Sequence, residues 1–469
     1  MTQASPRRYA GLDRAAVGQV DLTVHSIAAM CPSVSALGTA FALPVLVGPG
    51  AWLSVLLGFT VALGLASTFG EFSSRMVAPG SLVTWTAKGL GAGGALVALA
   101  GLTVGYVALS GFGMVAAVRR LDSAILPDTA VPSSTLVLLV TALAVLLWGV
   151  LRRGIRWSTR FASCIEVLAL AGLVLALSTL AVQHGLPGPG DLDPRGSSPG
   201  QILLGAALIL TLTCGFDSAA TLGVESHRPH ASVPRAMRRA LLLNGALVLG
   251  SVVLNSGPGQ GRSPGYTAWF GSPVADGALL LVLATSLAVV ALVGLTTLGR
   301  LLFAVSRAGA GLVGWGRTDP VTGVPVPTTL LAVALVLGPA LAVAASGRAA
   351  VLLLDVATTA LALTGALTAA AAIPFLARLG ELTPRVCLVA AGAAVSTLAL
   401  WAALVLDGDT QRTVCGLCTV GGVLVLAGAA RLALGPGGGS ALAGLGAHDT
   451  PVPADLAPAH AAALEGRGV

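Results

Sequence analysis

The sequence is poor in charged residues, which make up 10% of its 469 residues, while 55% are hydrophobic. A soluble domain is nearer a quarter charged, so this composition excludes an ordinary soluble protein. It indicates a chain that crosses a membrane several times. The formal net charge is +7, but the basic residues are spread over short loops instead of lying on one face. Nucleic acid is therefore not an expected partner.

Two short motifs that mark common enzymes are also absent. The sequence has no HExxH zinc motif and no Walker phosphate loop. Cys415 and Cys418 have CxxC spacing, but no second pair accompanies them and they open an apolar run. We interpret them as small packing residues rather than a redox or zinc site. The sequence therefore predicts no enzyme activity, no cofactor and no metal.

Long apolar runs are what the sequence has in place of charge. A helix needs about 20 apolar residues to span a bilayer, and about twelve runs are that long. They lie near residues 22–47, 51–76, 92–118, 133–151, 161–183, 201–224, 237–256, 278–306, 329–345, 349–376, 384–406 and 413–434. The predicted fold is therefore an all-α polytopic membrane protein with about 12 transmembrane helices.

The basic residues are unevenly divided between the two sets of loops that this count defines. With the N-terminus inside the cell, 20 of the 26 Lys and Arg residues fall in inside segments and 6 in outside segments. An excess of positive charge marks the cytoplasmic loops of membrane proteins. We therefore predict a multi-pass protein of the cell membrane with both termini in the cytoplasm. The N-terminal segment is 1–20, and a disordered tail is expected at 435–469.

Two of the runs carry a helix-breaking residue at a similar position. Pro32 removes a backbone donor in the first run, and Gly215 weakens the helix in the sixth. Five runs separate the two starts, and because five is odd the second set of helices enters the membrane in the opposite orientation. This predicts an inverted repeat of five plus five helices, with units at 21–183 and 201–376 and two further helices at 384–434.

The two interruptions predict where a substrate binds. Backbone that leaves helical geometry has free N–H and C=O groups, which lipid cannot satisfy and a polar substrate can. A proline kink and a glycine packing contact explain either helix alone, but the matched pair favours a central site. The expected substrate-binding residues are Ala29, Met30, Cys31, Pro32 and Ser33 in the first helix and Thr213, Cys214, Gly215, Phe216 and Asp217 in the sixth.

Three stretches resemble the amino acid–polyamine–organocation superfamily of permeases. GFDSAATLGVESHRPHASVPRAM (215–237) is similar to the superfamily's sixth-helix pattern, and FGEFSSRMVAPGSLVTWTAKGLG (69–91) to its loop between helices 2 and 3. GRLLFAVSRAGAGLVGWGRTDPVTGVPVPT (299–328) is similar to the stretch that closes helix 8. The likeness spans roughly residues 20–435. It departs from the usual pattern at Asp217, where the family has Glu, and in helix 1, which lacks the common Gly-Ser-Gly.

The resemblance implies a secondary transporter in which helix 1 reads a substrate carboxylate and helix 5 couples transport to an ion or proton. Glu166 lies in that fifth helix, where a desolvated carboxyl can bind and release a proton. The alternative is a carboxylate satisfied by Arg160 or Arg156. Tyr106 in the third helix is a further candidate to close the site with its hydroxyl, although it can equally be a core residue.

Other ionisable residues have structural interpretations. Asp355 is near the outer end of helix 10, within reach of water or Arg348. His25, at the start of the first helix, is expected at the membrane interface. Glu71 and Glu225 are expected at inner helix ends, as gate or anchoring charges.

The function predicted is transport of an amino acid or related amine across the cell membrane by proton symport or exchange. Its expected partners are the small-molecule substrate, a proton or counter-substrate, and the lipid bilayer. Two alternatives stay open: an exporter of a small metabolite, and a non-transporting membrane sensor or partner subunit with the same fold. An uninterrupted first helix or a missing Glu166 would favour the sensor, and the sequence shows neither.

Overall fold

The computed structural model describes residues 11–13, 16–125, 131–256, 272–310 and 314–443. Within these ranges the membrane segments are helical, and the only β-type contact is an isolated bridge between Val17 and Ser226. Most of the predicted N-terminal segment and residues 444–469 of the predicted tail lie outside the described residues.

Thirteen α-helices follow one another in the described part of the chain. They are α1 (Gln19–Met30), α2 (Pro32–Val47), α3 (Ala51–Ser73), α4 (Ser81–Ile125), α5 (Ser133–Leu151), α6 (Ile155–His184), α7 (Pro199–Leu212), α8 (Pro229–Leu254), α9 (Pro273–Val305), α10 (Val326–Ser346), α11 (Val351–Leu379), α12 (Pro384–Val405) and α13 (Thr410–Ala443). A 3-10 helix, Phe216–Glu225, lies between α7 and α8.

Eleven segments of the described residues are long and apolar enough to cross a membrane. The first, Gln19–Ser73, has 55 residues, far more than the roughly 20 that one crossing needs. It contains α1, α2 and α3, and the turn Gly48–Gly50 separates α2 from α3. The all-α polytopic fold is thus confirmed, whereas the count of twelve crossings and the inverted repeat stay predictions.

The stretch expected to be a loop between the second and third spans is partly helical. α4 begins at Ser81, and its helical geometry is interrupted at Gly91 (φ 75°). Residues 81–90 therefore form a short helix ahead of the membrane-spanning part. Its residue Trp85 is buried and stacks on Phe72 of α3 (ring centroids 5.7 Å apart). This aromatic contact holds the short helix against α3.

The last helix is longer than its apolar run. α13 continues past Gly435, whose backbone is non-helical (φ 59°), to Ala443. Residues 436–443, the first part of the predicted disordered tail, are therefore helical. Glycine accommodates this change of direction because it lacks a Cβ.

Helices α4 and α11 run antiparallel through the centre of the bundle. Arg119, near the end of α4, donates to the carbonyl of Arg348 just before α11 (2.5 Å). Arg378, near the end of α11, donates to the carbonyl of Lys88 near the start of α4 (2.6 Å). These contacts mark the two ends of the bundle, which we call the Arg348 end and the Arg378 end. α4 also packs along α9, so these three helices form the centre against which the interrupted helices lie.

Candidate functional site

The first helical interruption is confined to one residue, Cys31, between α1 and α2. Its backbone is left-handed (φ 48°, ψ 65°), a conformation that costs a non-glycine residue about 1–2 kcal/mol. Pro32 begins α2, where its missing N–H is not needed. Ser35 donates its hydroxyl to the carbonyl of Met30 (2.8 Å) and its N–H to that of Cys31 (2.9 Å). The break is therefore narrower than the predicted 29–33, because Ser35 satisfies the carbonyls that it frees.

The second interruption follows α7, which ends at Leu212. Gly215 has φ 90°, in the left-handed region where a side chain is strained. The chain then continues as the 3-10 helix Phe216–Glu225. The side-chain amide of Asn244 in α8 donates to the freed carbonyl of Leu212 (3.2 Å). Of the expected site residues 213–217, only the first three lie in the break itself, and the later ones belong to a helix wound more tightly than an α-helix.

The two interruptions pack directly against each other. A Cβ atom added to Gly215 would lie 2.7 Å from the Cβ of Ala29, so only glycine fits at this contact. The hydroxyl of Ser26 in α1 donates to the carbonyl of Phe216 (2.9 Å). The amide that caps α7 also lies 3.5 Å from the sulfur of Met30. The breaks therefore meet at one level of the bundle.

A cavity of about 850 Å³ opens beside the two breaks. Of the expected site residues, Ala29, Met30, Cys31 and Cys214 line it. The other walls come mainly from apolar side chains of α2, α4, α7, α9 and α11, and none of the lining residues is charged. They include Val34, Phe112, Leu208, Leu287, Val290 and Leu354. Such walls fit a neutral group better than an ion.

The large cavity extends toward the Arg348 end and is closed toward the Arg378 end. Its lining reaches Val45 and Leu46 in the last turn of α2 and Leu354 in the first turn of α11. On the other side of the breaks, Glu225 at the end of the 3-10 helix forms a bidentate ion pair with Arg300 of α9, with N–O distances of 2.5 and 3.0 Å. The two side chains are 1% and 5% exposed, so water does not screen this pair.

A second cluster of charges lies at the Arg378 end. Arg75 is 2.7 Å from both Glu71 and Glu381, so it joins α3 to the turn before α12. These side chains are partly exposed, and such pairs contribute little stability. Their arrangement agrees with an anchoring role for Glu71.

The other expected site residues lie apart from the large cavity. Thr213, Gly215, Phe216 and Asp217 line a second cavity of about 30 Å³, and Cys214 lines both. Phe216 stacks on Phe69 (ring centroids 5.6 Å apart, interplanar angle 8°), so its ring covers the small cavity and not the large one. Pro32, Ser33 and Tyr106 line neither of these two cavities.

Asp217 is buried, and no Lys, Arg or His of the described ranges forms an ion pair with it. Its side chain is 5% exposed, and Oδ2 has no hydrogen-bond partner among the described residues. The hydroxyl of Tyr106, itself fully buried, faces this carboxylate but forms no hydrogen bond of good geometry in the described part of the chain. Tyr106 is thus placed beside the second break and does not line the large cavity.

Glu166 of α6 is joined to the first break through one serine. The Ser286 hydroxyl in α9 donates to Glu166 Oε2 (2.9 Å). The Cys31 sulfur and the Ser33 hydroxyl oxygen lie 3.2 and 3.4 Å from the Ser286 oxygen. Glu166 is fully buried, and its Oε1 has no hydrogen-bond partner in the described ranges. A hydrogen-bonded chain therefore connects a buried carboxyl to the broken helix.

The alternative in which an arginine satisfies Glu166 is not observed. Arg156 pairs with Asp13 (3.0 Å) near the start of the described chain. Among the described residues, the side-chain hydrogen bond that Glu166 accepts comes from Ser286. Sequence reasoning missed Ser286. The available signal was a Thr-Ser pair at 285–286, but a Thr-Thr pair at 296–297 in the same apolar run gave no reason to prefer it.

Two ionisable residues differ from expectation, His25 in its position and Asp355 in its partner. His25 is buried, not interfacial, because α1 already begins at Gln19, and its Nε2 has no hydrogen-bond partner within the described residues. Asp355 lies 3.7 Å from Arg412, not beside Arg348. The start of α13 brings Arg412 over the first turn of α11, an approach between distant parts of the chain that no local pattern reveals.

Comparison with known proteins agrees with this architecture. Residues 17–425, which include both interrupted helices, match the family described as amino acid permease. The chain is also 28% identical over 325 residues to the branched-chain amino acid permease BcaP of Lactococcus lactis subsp. cremoris (strain MG1363), across 62% of this chain and 68% of that protein. The resemblance carried by the three motifs is confirmed. The chain belongs to the amino acid permease family and is a membrane transporter of amino acids.

Proposed function

We propose that the protein moves an amino acid, or a related amine, across the cell membrane by proton symport or exchange. The observation that carries this proposal is the hydrogen-bonded chain from Cys31 through Ser286 to Glu166. It links the break, where a substrate would bind, to a buried acid that can hold a proton. Family membership supports amino acid transport. The hydrogen bonds from Cys31 to Glu166 support coupling of that transport to a proton.

The charged ends of the substrate would bind to helix ends at the breaks. α2 begins beside the large cavity, and the start of a helix carries partial positive charge that favours a carboxylate. α1 and α7 both end there, at Met30 and Leu212, and the last carbonyls of a helix favour an ammonium group. These backbone dipoles substitute for charged side chains, which the cavity lining lacks.

The cavity walls favour a substrate whose side chain is neutral and apolar. Leu109, Phe112, Leu287 and Val290 face the cavity from α4 and α9. A charged side chain would lose its hydration there without gaining a partner. The relative BcaP is named for branched-chain amino acids, which agrees with walls of this kind. Leucine, isoleucine and valine are therefore the first substrates to test.

A proton on Glu166 would reverse one hydrogen bond and so change the break. When Glu166 is ionised it accepts from the Ser286 hydroxyl, as observed, and the serine oxygen offers its lone pairs to Cys31 and Ser33. When Glu166 is protonated it can donate to Ser286, whose own hydrogen then turns toward Cys31. The proton thereby changes the hydrogen bonding of Cys31, the residue that precedes α2 and lies next to the proposed carboxylate site.

The two ends of the bundle would open in turn. In the proposed topology the Arg348 end faces outward, so the large cavity is open to the outside and the Glu225–Arg300 pair closes the cytoplasmic side. Release into the cytoplasm requires these two side chains to separate. The excess of basic residues in the predicted inside segments supports this orientation.

Uptake of radiolabelled leucine into proteoliposomes tests the coupling. An inward proton gradient should drive accumulation by the wild type. Glu166→Gln should lose this proton-driven accumulation and keep exchange of labelled for unlabelled leucine. The reason is that the glutamine amide resembles the neutral, protonated form of Glu166. Asp355→Asn is the matched control: it removes another acid in a helix, one paired with Arg412 at the Arg348 end, and should keep proton-driven uptake.

Ser286→Ala tests the hydrogen-bonded link between Cys31 and Glu166 independently. It removes the link and leaves Glu166 in place, so it should also lose the response to the proton gradient. Accumulation by Glu166→Gln at the wild-type rate would remove Glu166 from the mechanism. Failure of the wild type to exchange any of the three branched-chain amino acids would overturn the substrate assignment.

A further inference from the structure

The cavity of about 30 Å³ behind the second break takes no part in the transport path proposed above. Its polar lining consists of Thr213, Cys214, Asp217 and Thr358, and Phe69 is among its apolar walls. A space of this size holds one species about as large as a water molecule. It is too small for an amino acid, so its polar lining needs another explanation.

The oxygen atoms around the small cavity are acceptors. The Thr213 hydroxyl donates to the carbonyl of Leu210 (2.9 Å), and the Thr358 hydroxyl to that of Leu354 (2.8 Å). Each hydroxyl has one hydrogen, so both oxygens have only lone pairs left for the cavity. Oδ2 of Asp217 has no partner among the described residues. The occupant of this cavity therefore meets a carboxylate and oxygen lone pairs.

The donors nearby are neutral. The Tyr106 hydroxyl faces the Asp217 carboxylate, and the Cys214 thiol, a weak donor, lies 3.7 Å from the Thr358 oxygen. No Lys, Arg or His forms an ion pair with Asp217 in the ranges that the structure describes. A buried carboxylate without a positive partner is costly to ionise, so it requires a bound cation or a proton.

We propose that this cavity binds one sodium ion, with Asp217 as the charged ligand and the Thr213 and Thr358 hydroxyls as neutral ligands. Oxygen atoms at interrupted transporter helices are suited to small alkali cations, which replace their hydration shell with such groups. Cys214 lines both this cavity and the large one, so it lies where the two adjoin. The ion would tie the start of the 3-10 helix to α11 and hold the second break in the conformation described.

This site is separate from the proton site, because Glu166 contacts the first break through α9 and Asp217 lies beyond the second. Thermal unfolding of the purified full-length protein in sodium, potassium and choline chloride at equal ionic strength tests the proposal. Sodium should raise the melting temperature of the wild type in a saturable way, because an ion that binds only the folded state stabilises it. Glu166→Gln should keep this response.

Variants of the ligands make the measurement specific. Asp217→Asn should abolish the sodium response, and Thr358→Val, which keeps the side-chain shape, should raise the midpoint of the sodium titration roughly tenfold. Equal melting temperatures in sodium and choline would overturn the proposal and leave a protonated Asp217 beside a water molecule in the cavity. A sodium response that survives Asp217→Asn would also overturn it, because the ion would then bind elsewhere. An equal response to potassium would overturn the assignment to sodium.

Discussion

Replacing Gly215 with alanine tests whether the two helix breaks pack as closely as described. The backbone at Gly215 has φ 90°, and left-handed geometry costs an L-residue about 1–2 kcal/mol. The new Cβ would also lie 2.7 Å from the Cβ of Ala29, so one of the helices must shift. Overpacking of this kind costs about 1–3 kcal/mol. Gly215→Ala should therefore lower the free energy of unfolding by about 2–5 kcal/mol.

Two further variants separate the strain of the backbone from the contact between the breaks. Gly408 has φ +97° with no atom within 4 Å of an added Cβ, so Gly408→Ala carries the backbone strain alone and should cost about 1–2 kcal/mol. The swap Ala29→Gly/Gly215→Ala moves one methyl group from the first break to the second and removes the clash. It should be more stable than Gly215→Ala, although glycine in a helix costs about 1 kcal/mol relative to alanine.

Thermal unfolding of the detergent-purified variants, together with leucine exchange in proteoliposomes, gives the comparison. Gly215→Ala should unfold at the lowest temperature of the set and exchange leucine most slowly, because the shifted helices reshape the cavity wall at Ala29. The reasoning is refuted if Gly215→Ala is no less stable than Gly408→Ala, or if the swap restores nothing. Either result would mean that the breaks are not in contact.

Three other predictions follow from buried or exposed groups. Glu225→Gln and Arg300→Met should each cost about 3–5 kcal/mol because each leaves a buried charge unpaired, and the double variant, measured by the same thermal unfolding, should be more stable than either. In a background without the exposed native cysteines, Leu186→Cys should react with an impermeant maleimide in intact cells and Val321→Cys should not, although both positions are exposed; the reverse pattern would invert the proposed topology. Asn244→Leu should cost about 1–3 kcal/mol because it leaves the last carbonyl of α7 unsatisfied, and an unchanged melting temperature would show that this carbonyl finds another donor.

The positions of both breaks could be predicted from the sequence because their causes are local. Pro32 cannot donate to the preceding turn, and Gly215 permits a left-handed backbone. The extent of the breaks could not be predicted, since it depends on groups that are remote or whose role is not apparent from residue type. Ser35 limits the first break and Asn244 the second, and nothing in an apolar run marks which hydroxyl or amide will do so.

The same contrast applies to the buried acids. Glu166 and Asp217 were recognisable because a carboxyl in an apolar run is costly and therefore seldom without a function. Their surroundings were not recognisable: Ser286 is 120 residues from Glu166 along the chain, and only the packing of α6 against α9 brings them together. The buried position of His25 also differs from the expected interfacial one. The polar residues before it do not end the helix, because α1 already begins at Gln19.

Polar side chains on one face of α8 and at its C-terminal cap join this helix to α1 and α2. Asn244 contacts the end of α1, Ser251 donates to the carbonyl of Ala36 (3.0 Å), and Asn255 donates to that of Ala40. These three residues recur at intervals of seven and four, which places them on one side of the helix. In an apolar interior no water replaces such bonds, so they hold α1, α2 and α8 together as one unit in the structure described.

The large cavity lies between this unit and the central helices, since α2 forms one wall and α4 and α9 form another. A change of access therefore requires motion at that boundary. The hydrogen-bonded chain from Cys31 to Ser286 crosses it, because Cys31 belongs to the broken first helix and Ser286 to α9. At the closed end, Glu225 forms a second contact with α9 through its ion pair with Arg300 of that helix. In the proposed mechanism, a proton on Glu166 thus acts on a bond between the two parts that must separate, which a carboxyl elsewhere in α6 would not do.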